Sequence, residues 1–369
     1  MPKVAPLIPL ARTGLQERTV LPLSPVLRIA LGLAIGLAGG ALFYWLTLPL
    51  PWMLGALFAT MAAAVAGVPV RGPKRLRPAT VAVIGVLLGS RFTPEVLAGA
   101  GQWGMTLAIM LVYLVVVGLA VVPFYRYVAR FDWTTAYFAG MPGGLNEMVE
   151  IGEARGARIE QVILAQSLRI VTVIAMIALW FRVVQGAQIS GAARAGAGWP
   201  DYLDLALMLA AAVLGSVMGR KLRLPAPTFL GPLILSVALH LGGLTESAPP
   251  GFVVNAAQVI LGTVLGCRFA GIGAAALGRA GLLSLCATVL SLALALAGGL
   301  AMQAATGVGM EQALLALAPG GLTEMGLVAL AIHADAAFVV LHHVVRILAV
   351  IVAAPLMHRL LVRDTSPSA

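Results

Sequence analysis

Pro142-Gly143-Gly144-Leu145-Asn146-Glu147-Met148 returns 177 positions later as Pro319-Gly320-Gly321-Leu322-Thr323-Glu324-Met325. This recurrence decides the fold, because a missed repeat misreads the whole chain. The same spacing carries Gly85 to Gly262, Gly89 to Gly266, Arg91 to Arg268, Phe92 to Phe269, Ala157 to Ala334 and Arg169 to Arg346. Leu48-Pro49-Leu50-Pro51 matches Leu224-Pro225-Ala226-Pro227 at a spacing of 176, so a single gap reconciles the two registers. Chance agreement of Leu or Ala is common in apolar sequence. Agreement of Pro, Gly, Glu and Arg in one register is not.

The unit that repeats is built for lipid. Of 369 residues, 60% are hydrophobic and 10% are charged. A soluble domain carries roughly 25% charged residues, so a water-soluble chain of this kind would lack a surface. Apolar stretches of about 20 residues are membrane-spanning candidates, and the 42 glycines fit, since Gly is commoner in membrane helices. The net charge of +10 would raise nucleic-acid binding in a soluble protein. Here the basic residues sit mostly in short loops, where they set orientation, and no nucleic-acid partner is expected. Cys267 and Cys286 lie in or beside apolar stretches without a CxxC, so neither a disulfide framework nor a zinc site is expected. Residues 1–25 hold Lys3, Arg12 and Arg18 and no compact apolar core with a cleavage site. They read as a cytoplasmic segment before a retained helix.

Each half shows six elements. In the first repeat, 26–182, apolar segments cover about 26–46, 51–69, 79–97 and 104–128. A segment over 132–156 is broken at Pro142-Gly143-Gly144, and a last helix covers 159–181. In the second repeat, 202–360, the counterparts lie near 203–219, 227–243, 252–270, 280–305, 311–335 and 336–358. Residues 183–201 form a Gly/Ala-rich linker, and 361–369 a tail.

Loop charge gives the relative orientation of the halves. Arg71, Lys74, Arg75 and Arg77 follow the second segment, whereas the equivalent loop at 244–251 holds only Glu246. The loop at Leu48 is uncharged, and its counterpart carries Arg220, Lys221 and Arg223. Arg126 and Arg130 follow the fourth segment, where the loop at 303–311 has Glu311 alone. Opposite character at equivalent loops is what inverted repeats predict. The N-terminus and the end with Arg359 and Arg363 then lie in the cytoplasm, while Arg182 and Arg194 fall outside and fit less well. Inversion needs an odd number of crossings, so one of the six elements must turn back. Pro stops a helix, and paired glycines allow the unusual backbone angles of a tight reversal. The expectation is an all-α polytopic membrane protein with two inverted-topology repeats, each of five transmembrane helices plus one re-entrant hairpin.

The duplicated Pro-Gly-Gly-Leu-x-Glu-Met and Leu-Pro-x-Pro segments resemble those of the AbrB family of duplicated bacterial membrane proteins. The resemblance covers roughly residues 25–360, with both motif copies intact. It implies a multi-pass protein of the bacterial inner membrane. It also brings the family's usual labels, regulator of gene expression and ammonia monooxygenase. In plan, though not in sequence, the layout is similar to secondary transporters with paired re-entrant hairpins, such as the citrate and glutamate carriers.

Carriers built from inverted repeats hold their substrate near the midplane, at broken helices from both halves. The helix starts at Leu145 and Leu322 would offer free N–H groups and positive dipole ends suited to anions. Gly143, Gly144, Asn146 and Glu147, with Gly320, Gly321, Thr323 and Glu324, are therefore the candidate substrate-binding residues. Asn146 and Thr323 could instead cap their own helices. Glu147 and Glu324 are ionisable groups at membrane depth, hence candidates for ion or proton coupling. Arg169 and Arg346 lie about ten residues into the last helix of each half, near the bilayer centre. Each needs a partner there, and the two glutamates are the expected ones, ahead of an anionic substrate. His342 and His343 stand where the first half has Ala165 and Gln166, which makes them an unduplicated candidate proton relay. His333 and Asp335, near a hairpin end, are expected at the surface. Pro49, Pro51, Pro225 and Pro227 should set helix starts. Gly32-x3-Gly36 and Gly85-x3-Gly89 should be close-packing sites.

Three functions compete. A secondary transporter or exporter of a small solute uses every feature above, and the chain has no GxxxxGK[ST] motif that would imply ATP. A membrane-bound regulator would act through a partner or a transported signal, since no soluble signalling domain is present. A monooxygenase would need an oxygen-activating cofactor. The five histidines form no spaced ligand set, and adjacent His342 and His343 diverge by about 100° on a helix. No enzyme activity, metal or cofactor is expected. The partners are the bilayer, a small solute and a homo-oligomeric copy.

Overall fold

The computed structural model describes residues 23–48, 50–183 and 200–362. Among them, all regular structure is helical. Lys3, Arg12, Arg18, Pro49, Arg194 and Arg363 lie outside the described residues, as do most of the N-terminal segment, the linker and the tail.

The first half contains α1 (Pro25–Trp45), α2 (Pro51–Val65), α3 (Arg77–Gly89), the short α4 (Pro94–Ala98) and α5 (Trp103–Pro123). A wide turn over Phe124–Val128 prolongs α5. Then come α6 (Trp133–Gly140), α7 (Leu145–Glu153) and α8 (Ile159–Val183). The second half has α9 (Tyr202–Lys221), α10 (Pro227–Leu241), α11 (Gly251–Gly266), α12 (Ala274–Thr306), α13 (Met310–Leu317), α14 (Leu322–Ala331) and α15 (Ala336–Val362). All twelve expected segments are present. Three end early: 51–69 stops at Val65, 79–97 stops at Gly89, and 252–270 gives way to a tight turn at Cys267–Phe269.

Among the described residues, seven helices are long and apolar enough to cross a membrane: α1, α5, α8, α9, α11, α12 and α15. Helices α2, α3 and α10 have 15, 13 and 15 residues. At 1.5 Å per residue they reach about 20–23 Å, short of the roughly 30 Å hydrocarbon core. Helices α2 and α3 are well enclosed, with Leu57, Ile84, Leu87 and Leu88 fully buried. The half-helices α6, α7, α13 and α14 have 8 to 10 residues and are far too short to span.

The halves interleave. Helix α2 packs on α1 and on α11 of the other half; α10 packs on α9 and on α3. Helices α5 and α12 pack on each other, and each also packs on the last helix of the opposite half. The small-residue spacing explains how close this is. A β-carbon on Gly85 would stand 2.7 Å from the Phe229 carbonyl oxygen, and one on Gly262 would strike the Met53 carbonyl. Phe229 and Met53 are equivalent residues, so this crossing is made twice.

The backbone repeats in detail. Among the described residues, ten of the eleven left-handed positions pair at the repeat spacing: Thr47 and Arg223, Leu50 and Ala226, Gly67 and Gly243, Arg130 and Gly307, Gly156 and His333; Gly271 stands alone. Leu50 and Ala226 are the N-caps of α2 and α10, each followed by the proline that opens the helix. A non-glycine residue pays a steric penalty there, yet both copies keep it.

Candidate functional site

Each motif copy builds the same broken helix, and each residue in it has a physical task. Helix α6 stops at Met141 and α13 at Ala318, both in extended conformation before a proline that has no N–H to give. The glycines do not serve as expected. Gly144 has φ −66° and Gly321 φ −75°, and none of the four motif glycines adopts positive φ. Space is what they supply. A β-carbon on Gly143 would come within 2.9 Å of Met148, and one on Gly320 within 2.8 Å of Met325. On Gly144 it would collide with the Glu147 carboxylate, and on Gly321 with that of Glu324. Gly144 and Gly321 are the N-caps, so each glutamate is the third helical residue, folded back over the start of its own helix. That is the position from which a carboxylate compensates free N–H groups and the positive dipole end.

Arg169 and Arg346 do not pair with these glutamates. Both are almost wholly buried, at 6% and 2% exposure. Arg169 donates from Nη1 to the Met141 carbonyl at 2.9 Å and from Nη2 to the Gly143 carbonyl at 3.4 Å. Arg346 donates to the equivalent carbonyls of Ala318, at 2.5 Å, and Gly320, at 2.7 Å. The guanidinium thus sits at the negative C-terminal end of a half-helix and satisfies carbonyls the break leaves free. A cation at this depth is stabilised by backbone, a partner that residue-type reasoning overlooked. Gly143 and Gly320 accordingly belong to the clamp and not to the cavity described below.

The residue one turn before each arginine completes the clamp. Gln166 donates from Nε2 to the Phe138 and Met141 carbonyls, at 2.7 and 3.1 Å, and its Oε1 accepts from Arg169 Nη2 at 2.6 Å. His343 Nε2 lies 2.9 Å from the carbonyl of Leu315, the counterpart of Phe138, and Nδ1 lies 3.0 Å from Arg346 Nη2. A carbonyl can only accept and a guanidinium only donate, so Nε2 carries the proton and Nδ1 accepts. His343 therefore does the work of Gln166. What looked like an unduplicated histidine is a duplicated clamp. His342 lies elsewhere. Its Nδ1 faces the Phe338 carbonyl at 2.8 Å and its Nε2 the Thr106 hydroxyl at 2.9 Å, tying α15 to α5. His333 is exposed, and half-buried Asp335 caps α15 by accepting from the Phe338 N–H at 3.0 Å.

The two tips share one cavity of about 140 Å³. Gly144, Asn146 and Glu147 line it from α7, and Gly321, Thr323 and Glu324 from α14. Six of the eight candidate binding residues thus meet in one space, and Gly143 and Gly320 stand behind it. The Thr323 hydroxyl donates to Glu324 Oε2 at 2.7 Å, which holds that carboxylate in its folded-back position. Two cations also face the cavity, Arg77 from the start of α3 and Arg268 from just beyond α11. In the sequence Arg77 is one of several loop charges and Arg268 a residue of the repeat register. Only their closeness to the tips, which needs the third dimension, makes them site residues. Ala226, Phe229, Leu261 and Leu265 complete an apolar wall. No ion pair within 4 Å joins either arginine to either glutamate among the described residues.

Comparison with known proteins agrees over nearly the full length. The family described as "Transition state regulatory protein AbrB" matches residues 52–362. The "Uncharacterized protein YhjN" of Bacillus subtilis (strain 168) is 26% identical over 366 residues, covering 89% of this chain and 92% of its own. The "Putative regulator AbrB" of Escherichia coli (strain K12) is 27% identical over 344 residues, covering 91% and 97%.

Proposed function

The chain belongs to the AbrB family, and on that premise we propose that it is a secondary carrier of a small solute bearing a carboxylate. The observation that carries this reading is the convergence of both motif copies on one cavity. Segments 177 residues apart gain nothing from meeting as mere helix breaks. They gain a great deal as the two halves of a binding site.

The chemistry of the lining favours the solute class. Arg77 and Arg268 are balanced in formal charge by Glu147 and Glu324, so net charge does not select an anion. Donor geometry does. Both glutamates are turned back on their own helix starts, whereas each guanidinium offers a planar fork that matches a carboxylate. The apolar wall suits a short hydrocarbon body. A volume of about 140 Å³ lies below the roughly 300–1,000 Å³ of pockets for drug-sized ligands.

Inverted repeats suit this role. Arg77 opens α3 and Arg268 follows the end of α11, so their meeting at one cavity is what oppositely directed helices would give. With the loop charges, this supports five crossings and one re-entrant hairpin per half, with cytoplasmic termini in a bacterial inner membrane. A second reading, a membrane regulator, draws on the name of the Escherichia coli relative. It would act through a partner or through the solute moved.

The test is uptake of labelled short carboxylates and amino acids by proteoliposomes under a pH or Na⁺ gradient. Wild type would be compared with Glu147→Gln, Glu324→Gln and Arg268→Gln, each checked for folding. Gradient-driven carboxylate uptake that the well-folded variants lose is the expected result. Folded wild type that moves no solute would sink the carrier reading and favour the regulator.

A further inference from the structure

A second cavity, of about 420 Å³, opens between α5, α6 and α15. We propose that it binds an anionic phospholipid. Its walls are apolar and include Leu111, Val115 and Leu119 from α5 and Val350 from α15. Val115 and Leu119 are 58% and 68% exposed on a helix long and apolar enough to span, so this side faces acyl chains. Gly118 leaves the floor open, for a β-carbon there would stand 3.0 Å from the Met141 sulfur.

Polar groups stand at one end only. Tyr137 lines the cleft and is 2% exposed, yet its hydroxyl has no hydrogen-bond partner among the described residues. A buried hydroxyl in that state costs about 1–3 kcal/mol, and an occupant with an acceptor removes the cost. One helical turn earlier, Trp133 lines the mouth, with the Arg126 guanidinium 5.6 Å from its ring centre and Tyr127 edge-on at 5.9 Å. Arg126 uses Nη1 on the Phe131 carbonyl, while its Nε is buried and unpartnered. Aromatic rings and a cation at a helix end mark the interfacial layer. In order of depth, the rim beside Trp133 offers a cation for a phosphate, and the cleft a hydroxyl for an ester carbonyl and an apolar trough for a chain.

The other half lacks all of this. Gln303 stands for Arg126, Met310 for Trp133 and Leu314 for Tyr137. The Met310 side chain also packs toward Gly299, within 3.0 Å of where a β-carbon there would stand. The cleft is therefore not a by-product of the repeated fold. Its floor residue, Met141, is the one whose carbonyl Arg169 and Gln166 hold. A bound lipid would rest against the first tip.

The test uses delipidated full-length protein in detergent. Phosphatidylglycerol and phosphatidylcholine with identical chains would be added separately, with retention read by native mass spectrometry and stability by thermal unfolding. Wild type should retain phosphatidylglycerol about fivefold better, the contribution of one basic residue toward an anionic lipid. Arg126→Gln should abolish that preference, Tyr137→Phe should weaken retention of both lipids, and Gly118→Leu should fill the cleft and remove it. Equal retention by wild type, or a preference that survives Arg126→Gln, would overturn the proposal. So would an equal rise in thermal stability from inorganic phosphate alone. Arg126 is partly exposed, so its variant decides the matter even if Gly118→Leu fails to fold.

Discussion

At the first tip an amide holds the end of a half-helix; at the second an imidazole does. Gln166 and His343 sit one turn before equivalent arginines, donate to equivalent carbonyls of Phe138 and Leu315, and accept from the guanidinium behind them. The arginines, the carbonyls they clamp, the glycines and the folded-back glutamates are the same in both. The neutral go-between has diverged, while the charge and its backbone partners have not. Physical cost accounts for the difference. A neutral side chain can be exchanged for any other with the same donor and acceptor. A buried guanidinium can be replaced only by something that fills the same fork and also satisfies two carbonyls.

The largest effect should therefore come from the arginines. Arg346→Ala would orphan the Ala318 and Gly320 carbonyls and open a void among fully buried residues. The expected loss exceeds about 3 kcal/mol, read as a large drop in thermal stability in detergent. Arg346→Lys should recover little, because one ammonium cannot reproduce a fork spanning two carbonyls and an imidazole. Arg169→Ala should behave alike. If either arginine tolerates alanine while the other does not, the two tips are not equivalent clamps.

A middling effect is expected at the second motif glycine. Gly144→Ala and Gly321→Ala each force a methyl into the folded-back carboxylate, at about 1–3 kcal/mol for overpacking. Shortening the acid should relieve the clash, so Gly321→Ala with Glu324→Ala should be less than additive. Strict additivity in that double-mutant cycle would mean that the carboxylate does not lie over the glycine.

Much of this was legible in the chain. The duplication, the twelve segments, the breaks and six of the cavity residues follow from residue type and spacing, because Pro and Gly act locally and a repeat needs no third dimension. What escaped depended on partners that carry no residue-type signal. Backbone carbonyls are present everywhere, so nothing in the sequence named Met141 or Ala318 as the partner of an arginine, and a glutamate seemed the better match. The glycines looked like turn residues because open backbone angles are their common use, when here they leave room for Met148, Glu147, Met325 and Glu324. Arg77 and Arg268 escaped because long-range packing alone brings α3 and α11 to the tips.

The smallest effect is the most informative. His343→Gln would make the second tip a chemical copy of the first, exchanging an Nε2–H donor and Nδ1 acceptor for the amide N–H and C=O of Gln166. Stability should change by less than about 1.5 kcal/mol, the range of volume-conserving swaps. The amide even has a second N–H for the Ala318 carbonyl, as Gln166 has for Met141. His343→Leu, of similar bulk but with neither group, should cost more, since it strands the Leu315 carbonyl and one N–H of Arg346 Nη2. The pair of variants also tests the relay reading of His343. A side chain that must gain and lose a proton during a transport cycle cannot be replaced by an amide. If His343→Gln folds well and any gradient-driven uptake persists, the imidazole is a clamp. If it folds well and uptake alone is lost, the second tip has acquired a protonation step that the first does not share.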